Sequence, residues 1–310
     1  MTLEQLRIFV AVAEREHVTQ AARDLNLTQS AVSAAVTALE ERHETKLFDR
    51  IGRRIALTQA GRLFLTEARA VLARAAAAET MLADLTGLKR GSLSLAASQT
   101  VGNYWLPPLM ARFRREYPGI TLSLTIGNTE TVAAMVRESL VDVGFVEGDI
   151  DEPTLAVTPV AEDELVLVVS AAQMSPRKAA ALRPADLKSM PWVFRERGSG
   201  TRALFEQALK KHGIAASDLN VVLELPSNEA VRRAVEAGAG ATVLSRLAVE
   251  TGVASGALAM LNFTVPPRRF LALHHKERQP TQAERALFAL AGTGTPPASA
   301  PNKPHRLRPA

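Results

Sequence analysis

The chain has 310 residues, about twice the usual length of one domain, so its length predicts two domains. Hydrophobic residues make up 47% of the chain and charged residues 22%, a globular composition that excludes a wholly disordered protein. With no cysteine, the sequence excludes disulfides, thiolate zinc sites and iron–sulfur clusters. Glu4 and Arg7 interrupt the first apolar stretch, and no apolar run reaches the ~18 residues of a membrane helix. We therefore expect a cytoplasmic protein without a membrane partner.

Three short helices and a hairpin are predicted within the first 58 residues. The apolar residues of the first helix fall on one helical face. A second helix is predicted at 19–25, and Asn26 is expected to end it in the left-handed conformation. Thr28 occupies an N-cap position for a third helix at 29–41. Two strand-like runs, 47–50 and 54–57, then predict a small basic hairpin.

The third helix begins with small polar side chains, as does a helix that reads DNA. Ala21 and Ala22 permit a close crossing of the two preceding helices, and a short turn follows. Gln29, Ser30 and Ser33 could then reach base edges or phosphates. An ordinary pair of helices is the alternative, but it does not require the basic residues of the hairpin, which are Arg53 and Arg54.

One long helix is predicted over residues 59–87. Its apolar residues alternate at spacings of four and three, which is typical of a coiled-coil seam, so we expect self-association through this helix. A helix packed on its own core is the alternative. The seam residues are Phe64, Ala68, Val71, Ala75, Ala78, Leu82 and Leu85.

From Leu93 onward, strands alternate with helices, which predicts an α/β architecture with mainly parallel sheets. A tail at 293–310, rich in Pro and Ala, is predicted to be disordered. The strand candidates are 93–97, 121–126, 141–146, 164–169, 191–194, 220–225, 241–244 and 270–274.

A weak repeat within this region predicts two similar lobes. Ser98-Gln99-Thr100 and Ser199-Gly200-Thr201 each follow a strand, 101 positions apart. Asn128-Thr129 and Asn228-Glu229 each open a helix, 100 positions apart. Hydroxyl and amide groups at helix N-termini suit an anion, and such a site requires no buried charged side chain. The alternative is that the hydroxyls only cap their own helices.

Signals for an enzyme are weak. The segment 198–203 fits the G-x-G-x-x-A pattern of dinucleotide sites, but three charged residues separate it from the preceding strand, so the turn is not tight. Gly198-Ser199-Gly200 lacks the spacing of a nucleophile elbow. His274 and His275 are adjacent in a strand candidate and point to opposite faces. We expect no enzymatic activity, no catalytic residue, no metal and no cofactor.

The segment from Leu3 to Gly61, with TQAARDLNLTQSAVSAAVTALEERHETKLFDRIGRRIALTQAG, resembles the winged helix-turn-helix of LysR-type transcriptional regulators. The later segments follow the family order. The resemblance implies an α/β protein with an N-terminal winged helix-turn-helix, a long linker helix and a two-lobed effector domain like that of periplasmic binding proteins. The expected domains are 1–58, 59–90 and 91–292, with lobe I at about 91–161 and 267–292 and lobe II at about 162–266.

The resemblance implies that the third helix and the hairpin, called the wing in this family, bind double-stranded promoter DNA. It also implies a dimer joined through the linker helix, and we expect a tetramer. Many members carry Arg and Gln where this chain has Ala34 and Ala35, so specificity must depend on neighbouring residues, the wing and DNA shape. The expected DNA-binding residues are Thr28, Gln29, Ser30, Ser33, Ala34, Thr37, Arg53 and Arg54.

The resemblance further implies a small-molecule effector held between the lobes. SQTVGNYWLP and IGNTE are similar to segments of regulators of sulfur assimilation and carbon fixation, which implies a small oxyanion, a carboxylate or a phosphorylated metabolite. The alternative function is a solute-binding protein whose helices only oligomerise it, with no DNA role. The expected effector-binding residues are Ser98, Thr100, Asn128, Thr129, Glu147, Ser199, Thr201 and Arg202.

Overall fold

The computed structural model describes residues 1–51, 54–84, 91–173 and 184–292. These residues form two compact units, one containing the N-terminal residues through the long helix and the other containing most of the remaining chain. None of the helices in the described ranges is both long and apolar enough to cross a membrane.

The first unit contains three short helices, a hairpin and one long helix. Thr2 and Gln5 form a capping box that begins the first helix. Asn26 has φ 55° and so turns the chain after the second helix, and the Thr28 hydroxyl accepts from the Ala31 N–H at 3.2 Å to begin the third. The turn and the cap confirm the prediction. The elements are α1 (Leu3–Arg15), α2 (Val18–Asp24), α3 (Gln29–Arg42), β1 (Phe48–Ile51), β2 (Arg54–Leu57) and α4 (Gln59–Asp84).

Phe9 lies at the centre of the first unit's core. Its ring contacts those of Phe48 and Phe64, with centroid distances of 5.4 and 4.9 Å, and Ala68 is 1% exposed beside them. Phe64 and Ala68 therefore pack inside their own unit, which differs from their predicted place in a dimer seam. They do so because the first turns of α4 pack against α1.

Further along α4, two residues of the predicted seam are open to solvent. Val71 is 42% exposed, Ala78 is exposed and Ala75 is half-buried. The side chain of Leu82, and Leu85 as a whole, lie outside the described residues.

Lobe I of the second unit is a five-stranded sheet with the order β4-β3-β5-β12-β6. Strand β3 is parallel to β4 and β5, whereas β12 is antiparallel to β5 and β6. Phe113, Phe145 and Phe270 are buried in its core. Its elements are β3 (Gly91–Ser98), a π turn (Val101–Trp105), α5 (Leu106–Glu116), β4 (Ile120–Gly127), α6 (Thr129–Arg137), β5 (Val143–Glu147), β6 (Leu155–Asp163), β12 (Arg268–His275) and α10 (Gln282–Leu290).

Lobe II contains a three-stranded sheet, β10-β7-β11, and a parallel pair, β8-β9. A bridge between Trp192 and Ala241 joins the two. Trp192, Phe194 and Phe205 form the aromatic centre of its core. Its elements are β7 (Leu165–Ser170), 3-10 turns (Ala171–Gln173, Pro184–Lys188, Ala216–Asp218), β8 (Pro191–Arg195), α7 (Gly200–Lys211), β9 (Asn220–Leu225), α8 (Asn228–Glu236), β10 (Thr242–Ser245), α9 (Arg246–Ala254) and β11 (Leu258–Leu261).

The expectation of mainly parallel sheets is wrong. Four of the seven strand pairings described in the second unit are antiparallel. Strands β6 and β11 were not predicted, and each is followed by the next strand without an intervening helix. All four antiparallel pairings involve β7 or β12, the two strands that the chain enters from the other lobe without a helix. The prediction assumed a helical crossover before each strand, which keeps paired strands parallel.

The chain crosses between the lobes twice, from β6 to β7 and from β11 to β12. Asp163, the last residue of β6, and Arg268, the first residue of β12, are register partners in the lobe I sheet. The two crossings therefore lie side by side, and they place a carboxylate next to a guanidinium at the junction of the lobes.

Candidate functional site

The N-terminal half of α3 presents most of the residues predicted to bind DNA. Gln29, Ser30, Ala34 and Thr37 are exposed, and Ser33 is half-buried. Spacings of three and four residues place them along one side of the helix. The Thr28 hydroxyl caps the helix, and it also lies 3.1 Å from the Ser30 hydroxyl. Of the two wing arginines, Arg53 lies outside the described residues, and Arg54 is described only as the first residue of β2.

Glu40 joins the end of α3 to the beginning of the hairpin. Its carboxylate is 8% exposed, and it accepts from the N–H groups of Leu47 and Phe48 at 2.8 and 3.1 Å and from Lys46 Nζ at 2.9 Å. Burial raises the pKa of Glu40, but Lys46 and the two N–H groups outweigh burial and hold it below the ordinary value. Helix α3 and the hairpin are thereby fixed to each other.

In the second unit, Arg268 lies at the junction of the two lobes and is 5% exposed. Its Nε donates to Asp163 at 2.6 Å, Nη1 donates to the Thr201 hydroxyl at 2.9 Å, and Nη2 donates to the Thr100 hydroxyl at 3.3 Å. The other Asp163 oxygen accepts from the Ser245 hydroxyl at 2.6 Å. One guanidinium thus contacts Thr100 of lobe I, Thr201 of lobe II and Asp163 at the end of β6.

Glu147, the last residue of β5, is 1% exposed. Its carboxylate accepts from the Ser98 hydroxyl and, at 3.3 Å, from the Thr201 hydroxyl. The same carboxylate lies 3.5 Å from Arg268 Nη1, and the Glu147 carbonyl accepts from the Thr129 hydroxyl at 2.9 Å. The structure therefore brings five of the predicted residues into one buried network, namely Ser98, Thr100, Thr129, Glu147 and Thr201.

A second buried guanidinium joins this network through an amide. Arg195 is 3% exposed, and it donates to both carboxylate oxygens of Glu196 at 2.8 Å and to the Asn228 side-chain carbonyl. The Asn228 amide nitrogen in turn donates to the Thr100 hydroxyl at 3.1 Å. Burial raises the pKa of Glu196, but Arg195 outweighs burial and holds it below the ordinary value.

The hydroxyls do not cap their own helices. Thr100 and Ser199 occupy N-cap positions without a side-chain capping bond, and the other two hydroxyls donate to Glu147. The Ser199 hydroxyl oxygen is buried and makes no hydrogen bond within the described structure. Asn128 behaves differently, since its side-chain oxygen accepts from the Thr131 N–H at 2.9 Å and caps α6. Its amide nitrogen lies 3.3 Å from Glu196.

A pocket of about 310 Å³ lies beside the network, between the first turns of α6 and α7. Two predicted residues, Thr129 and Ser199, line it. Its carboxylates disfavour an anion, and the network next to it contains buried charged side chains, so the structure differs from the expected anion site built on helix N-termini alone. The charged lining residues are Glu130, Arg137, Asp149, Asp151 and Glu152.

Arg202 does not join the network. Its guanidinium donates to Glu206 at 2.8 Å, to Glu224 at 2.6 Å and to the Arg195 carbonyl at 2.9 Å, and it lies over the Phe194 ring. These lobe II contacts explain the difference from its predicted role, because its donors are engaged by lobe II groups.

The expected effector-binding residues leave out six members of the network, namely Asp163, Arg195, Glu196, Asn228, Ser245 and Arg268. The internal repeat had already indicated Asn228, which corresponds to Asn128. Arg268 follows two prolines at a crossing between the lobes, and no sequence pattern indicates that crossing.

Two protein-family models match this chain. The model described as "Bacterial regulatory helix-turn-helix protein, lysR family" matches residues 3–62. The model described as "LysR substrate binding domain" matches residues 86–295. Together they cover both units.

Two curated relatives are similar over most of their length. The uncharacterized HTH-type transcriptional regulator YeiE of Escherichia coli strain K12 is 36% identical over 287 residues, which cover 92% of this chain and 95% of that protein. The probable RuBisCO transcriptional regulator of Cyanidioschyzon merolae is 37% identical over 251 residues, covering 80% and 82%. The latter relative confirms the predicted similarity to regulators of carbon fixation.

Solved structures share the fold. Full-length CbnR in complex with its target DNA has a TM-score of 0.67 at 25% identity, covering 94% of this chain and 98% of that chain. The CcmR regulatory domain of Synechocystis PCC6803, in complex with 2-PG, has a TM-score of 0.59 at 27% identity, covering 66% and 97%.

Proposed function

Because the chain belongs to the LysR family of DNA-binding transcriptional regulators, we propose that its effector is a small anion held between the two lobes at Arg268. The family assignment does not favour the alternative of a solute-binding protein without a DNA role. LysR regulators act by binding DNA and effectors, and we propose no enzymatic activity, metal or cofactor for this chain. Because its target is DNA, we propose that it acts in the cytoplasm.

The contacts of Arg268 carry this proposal. A single guanidinium is shared between the Thr100 hydroxyl of lobe I and the Thr201 hydroxyl of lobe II. The second guanidinium, that of Arg195, is connected to the Thr100 hydroxyl through the side-chain amide of Asn228. Arginine forks bind carboxylates and phosphates through paired, charge-assisted hydrogen bonds. An anion at this point contacts both lobes, so it binds one arrangement of the lobes better than another and shifts the population toward it.

The proposed anion site is tested by calorimetric titration with 2-PG, inorganic phosphate and sulfate. In the double variant Thr100→Val and Thr201→Val, size is kept but both hydroxyls that organise Arg268 are removed. We expect affinity for the anion that binds wild type to fall at least tenfold, which corresponds to about 1.4 kcal/mol. Thr158→Val is the matched control, because the Thr158 hydroxyl is buried and unpartnered in the described structure and lies in β6. Wild-type affinity in the double variant rejects this site.

For the DNA-binding unit, we propose that the exposed N-terminal half of α3 reads the promoter and that the wing contacts the backbone. Gln29→Ala is expected to weaken binding at the cognate site by about 1–3 kcal/mol, with little change on random DNA. Arg53→Ala is expected to weaken binding to all sequences and to reduce the salt dependence. Fluorescence anisotropy on both DNAs over a salt series measures this, and equal losses on both DNAs for Gln29→Ala reject the assignment.

For assembly, we propose that α4 joins two chains through its residues from Val71 onward, with the exposed Val71 and Ala78 and the half-buried Ala75 in the contact. The position of Phe64 and Ala68 in their own unit's core shortens the seam that the sequence predicts. We extend the proposal to a tetramer, as a pair of such dimers.

A further inference from the structure

The chain supplies an anion of its own at the proposed effector site. The Glu147 carboxylate is 1% exposed and accepts from Ser98 and Thr201, beside Arg268. Ser98 ends β3 in lobe I, Thr201 lies in the first turn of α7 in lobe II, and Arg268 lies at the crossing. These are the donors that an anion bound to both lobes requires. A carboxylate of the protein therefore already uses them.

The buried network contains three carboxylates and two guanidiniums, so no cation is in excess. Arg195 is paired with Glu196, and Arg268 is paired with Asp163 and with Glu147. An anion that enters this site must therefore replace one of the three carboxylates, since an uncompensated charge in a buried site is costly.

The distances indicate which carboxylate is replaced. Glu196 holds Arg195 through two bonds of 2.8 Å, and Asp163 holds Arg268 at 2.6 Å while it also accepts from Ser245 at 2.6 Å. The Glu147 oxygen lies 3.5 Å from Arg268, the longest of these ion pairs. Because charge attraction falls with distance, Glu147 is the carboxylate held least strongly by charge. Its closer contacts are the hydroxyls of Ser98 and Thr201, which can donate to an incoming anion instead.

We propose that Glu147 is an internal competitor of the effector, and that it selects for oxyanions with more acceptor oxygens than a carboxylate. This proposal rests on the anion site proposed above. A monocarboxylate that displaces Glu147 exchanges one carboxylate for another and gains little. A sulfate or phosphate group offers more acceptor oxygens to Arg268 and the hydroxyls, so it outcompetes Glu147. The residue thus sets both the chemical class of the effector and the concentration at which it acts.

The test is a calorimetric titration of Glu147→Gln with inorganic phosphate, sulfate and acetate at pH 8.5. Glutamine keeps the size of the side chain and one acceptor oxygen but removes the competing charge. We expect at least a tenfold rise in affinity for phosphate and sulfate, and detectable binding of acetate. We expect the ratio of phosphate affinity to acetate affinity to be smaller in the variant than in wild type. Unchanged or weaker binding of all three anions overturns the proposal.

Glu284→Gln is the matched control. Glu284 is also 1% exposed and paired with an arginine in the same unit. Its partners are Arg278 and the N–H of Thr281, the N-cap residue of α10, rather than the network. At pH 8.5 its carboxyl is ionised, because burial raises its pKa only to about 7, so both substitutions remove one negative charge. Anion affinity in this control is expected to equal that of wild type. A rise equal to that of Glu147→Gln assigns the effect to net charge and overturns the proposal.

Two further variants separate the failure of this proposal from the failure of the anion site. Glu147→Asp keeps the charge but shortens the side chain, so it holds the donors less well, and we expect a several-fold rise in phosphate affinity even where the glutamine variant does not fold. Arg268→Lys is expected to lower phosphate affinity at least tenfold. If Arg268→Lys lowers affinity while neither Glu147 variant raises it, the competitor is rejected and the anion site stands. If neither wild type nor the Glu147 variants bind phosphate or sulfate, both proposals are rejected.

Discussion

Two arginines of the second unit have similar surroundings but serve different parts of the structure. Arg268 lies between Asp163 and Glu147, and Arg278 lies between Asp142 and Glu284. The partners of Arg278 all belong to lobe I, whereas Arg268 also donates to hydroxyls of both lobes. The same pairing of charges therefore stabilises a single lobe at Arg278 and connects two lobes at Arg268.

The two clusters differ in which parts of the structure are released when one of their ion pairs is broken. Asp142, the residue before β5, also accepts from the N–H and the hydroxyl of Ser94, both at 2.7 Å. The Arg278 cluster therefore ties the start of β5 to β3 and α10 within one lobe. A ligand that entered there would have to unfold part of the lobe. At Arg268, by contrast, exchange of one acceptor for another changes only how the lobes are held together. Buried ion pairs thus support regulation only where their partners lie on parts that move relative to each other.

The largest expected effect is the loss of the Arg278 guanidinium. Arg278→Met leaves Glu284, which is 1% exposed, as a buried carboxylate without its ion-pair partner. We expect the free energy of unfolding to fall by about 3–5 kcal/mol in urea titrations at pH 8.5, while phosphate affinity remains within twofold of wild type. Arg269→Met, on an exposed residue of β12, is the control and is expected to change stability by less than about 0.5 kcal/mol. A loss of phosphate affinity in Arg278→Met contradicts the division between the two clusters.

The next effect concerns pH. Burial raises the pKa of Glu284 from 4.5 to about 7, outweighing the opposing effect of Arg278. Between these two values the folded state binds more protons than the unfolded state, so its stability falls as the pH rises. We expect a loss of about 3 kcal/mol between pH 4.5 and 7, calculated from the shift in pKa. Glu284→Gln is expected to remove this part of the pH dependence in urea titrations across the same range. An identical pH dependence in wild type and variant contradicts the prediction.

The smallest effect distinguishes two buried serines of lobe II, Ser245 and Ser199. The Ser245 hydroxyl donates to Asp163 at 2.6 Å, and the Ser199 hydroxyl is buried with no hydrogen bond in the described structure. Ser245→Ala is expected to cost about 1–3 kcal/mol, because it leaves a buried carboxylate oxygen without that donor. Ser199→Ala removes an unsatisfied group, and we expect a change below about 0.5 kcal/mol in the free energy of unfolding. The stability of both variants is measured by thermal and urea unfolding. Equal losses of stability in Ser245→Ala and Ser199→Ala contradict this ranking.

Local patterns predicted the elements and the caps well. The turn at Asn26, the N-cap at Thr28 and all eight strand candidates correspond to elements of the structure, because these features depend on residues close in the sequence. The repeat likewise pointed to hydroxyls that meet at Glu147 and Arg268. What these hydroxyls bind to was not predicted.

The missed features depend on residues distant in the sequence. Arg268 meets Asp163 only because β12 returns antiparallel beside β6, and neither β6 nor that pairing has a local signal. Phe64 fits a coiled-coil seam as well as a core, and only the packing of α1 against α4 places it next to Phe9. Arg202 follows Thr201 in the first turn of α7 but donates to Glu206 and Glu224 instead. Spacing indicates which side chains share a face, and it does not indicate which partner each one takes.

The pairing of Asp163 with Arg268 also shows where lobe II lies in the sequence relative to lobe I. Everything between these two residues is one continuous insertion into lobe I, whose sheet is complete without it. Antiparallel partners lie about 5 Å apart between Cα atoms, a gap that a two-residue turn closes. Excision of residues 164–267 and their replacement by Asn-Gly would turn β6 and β12 into an ordinary hairpin. Lobe I is in this sense a self-contained module, and lobe II is a long loop of that hairpin that has acquired a core of its own.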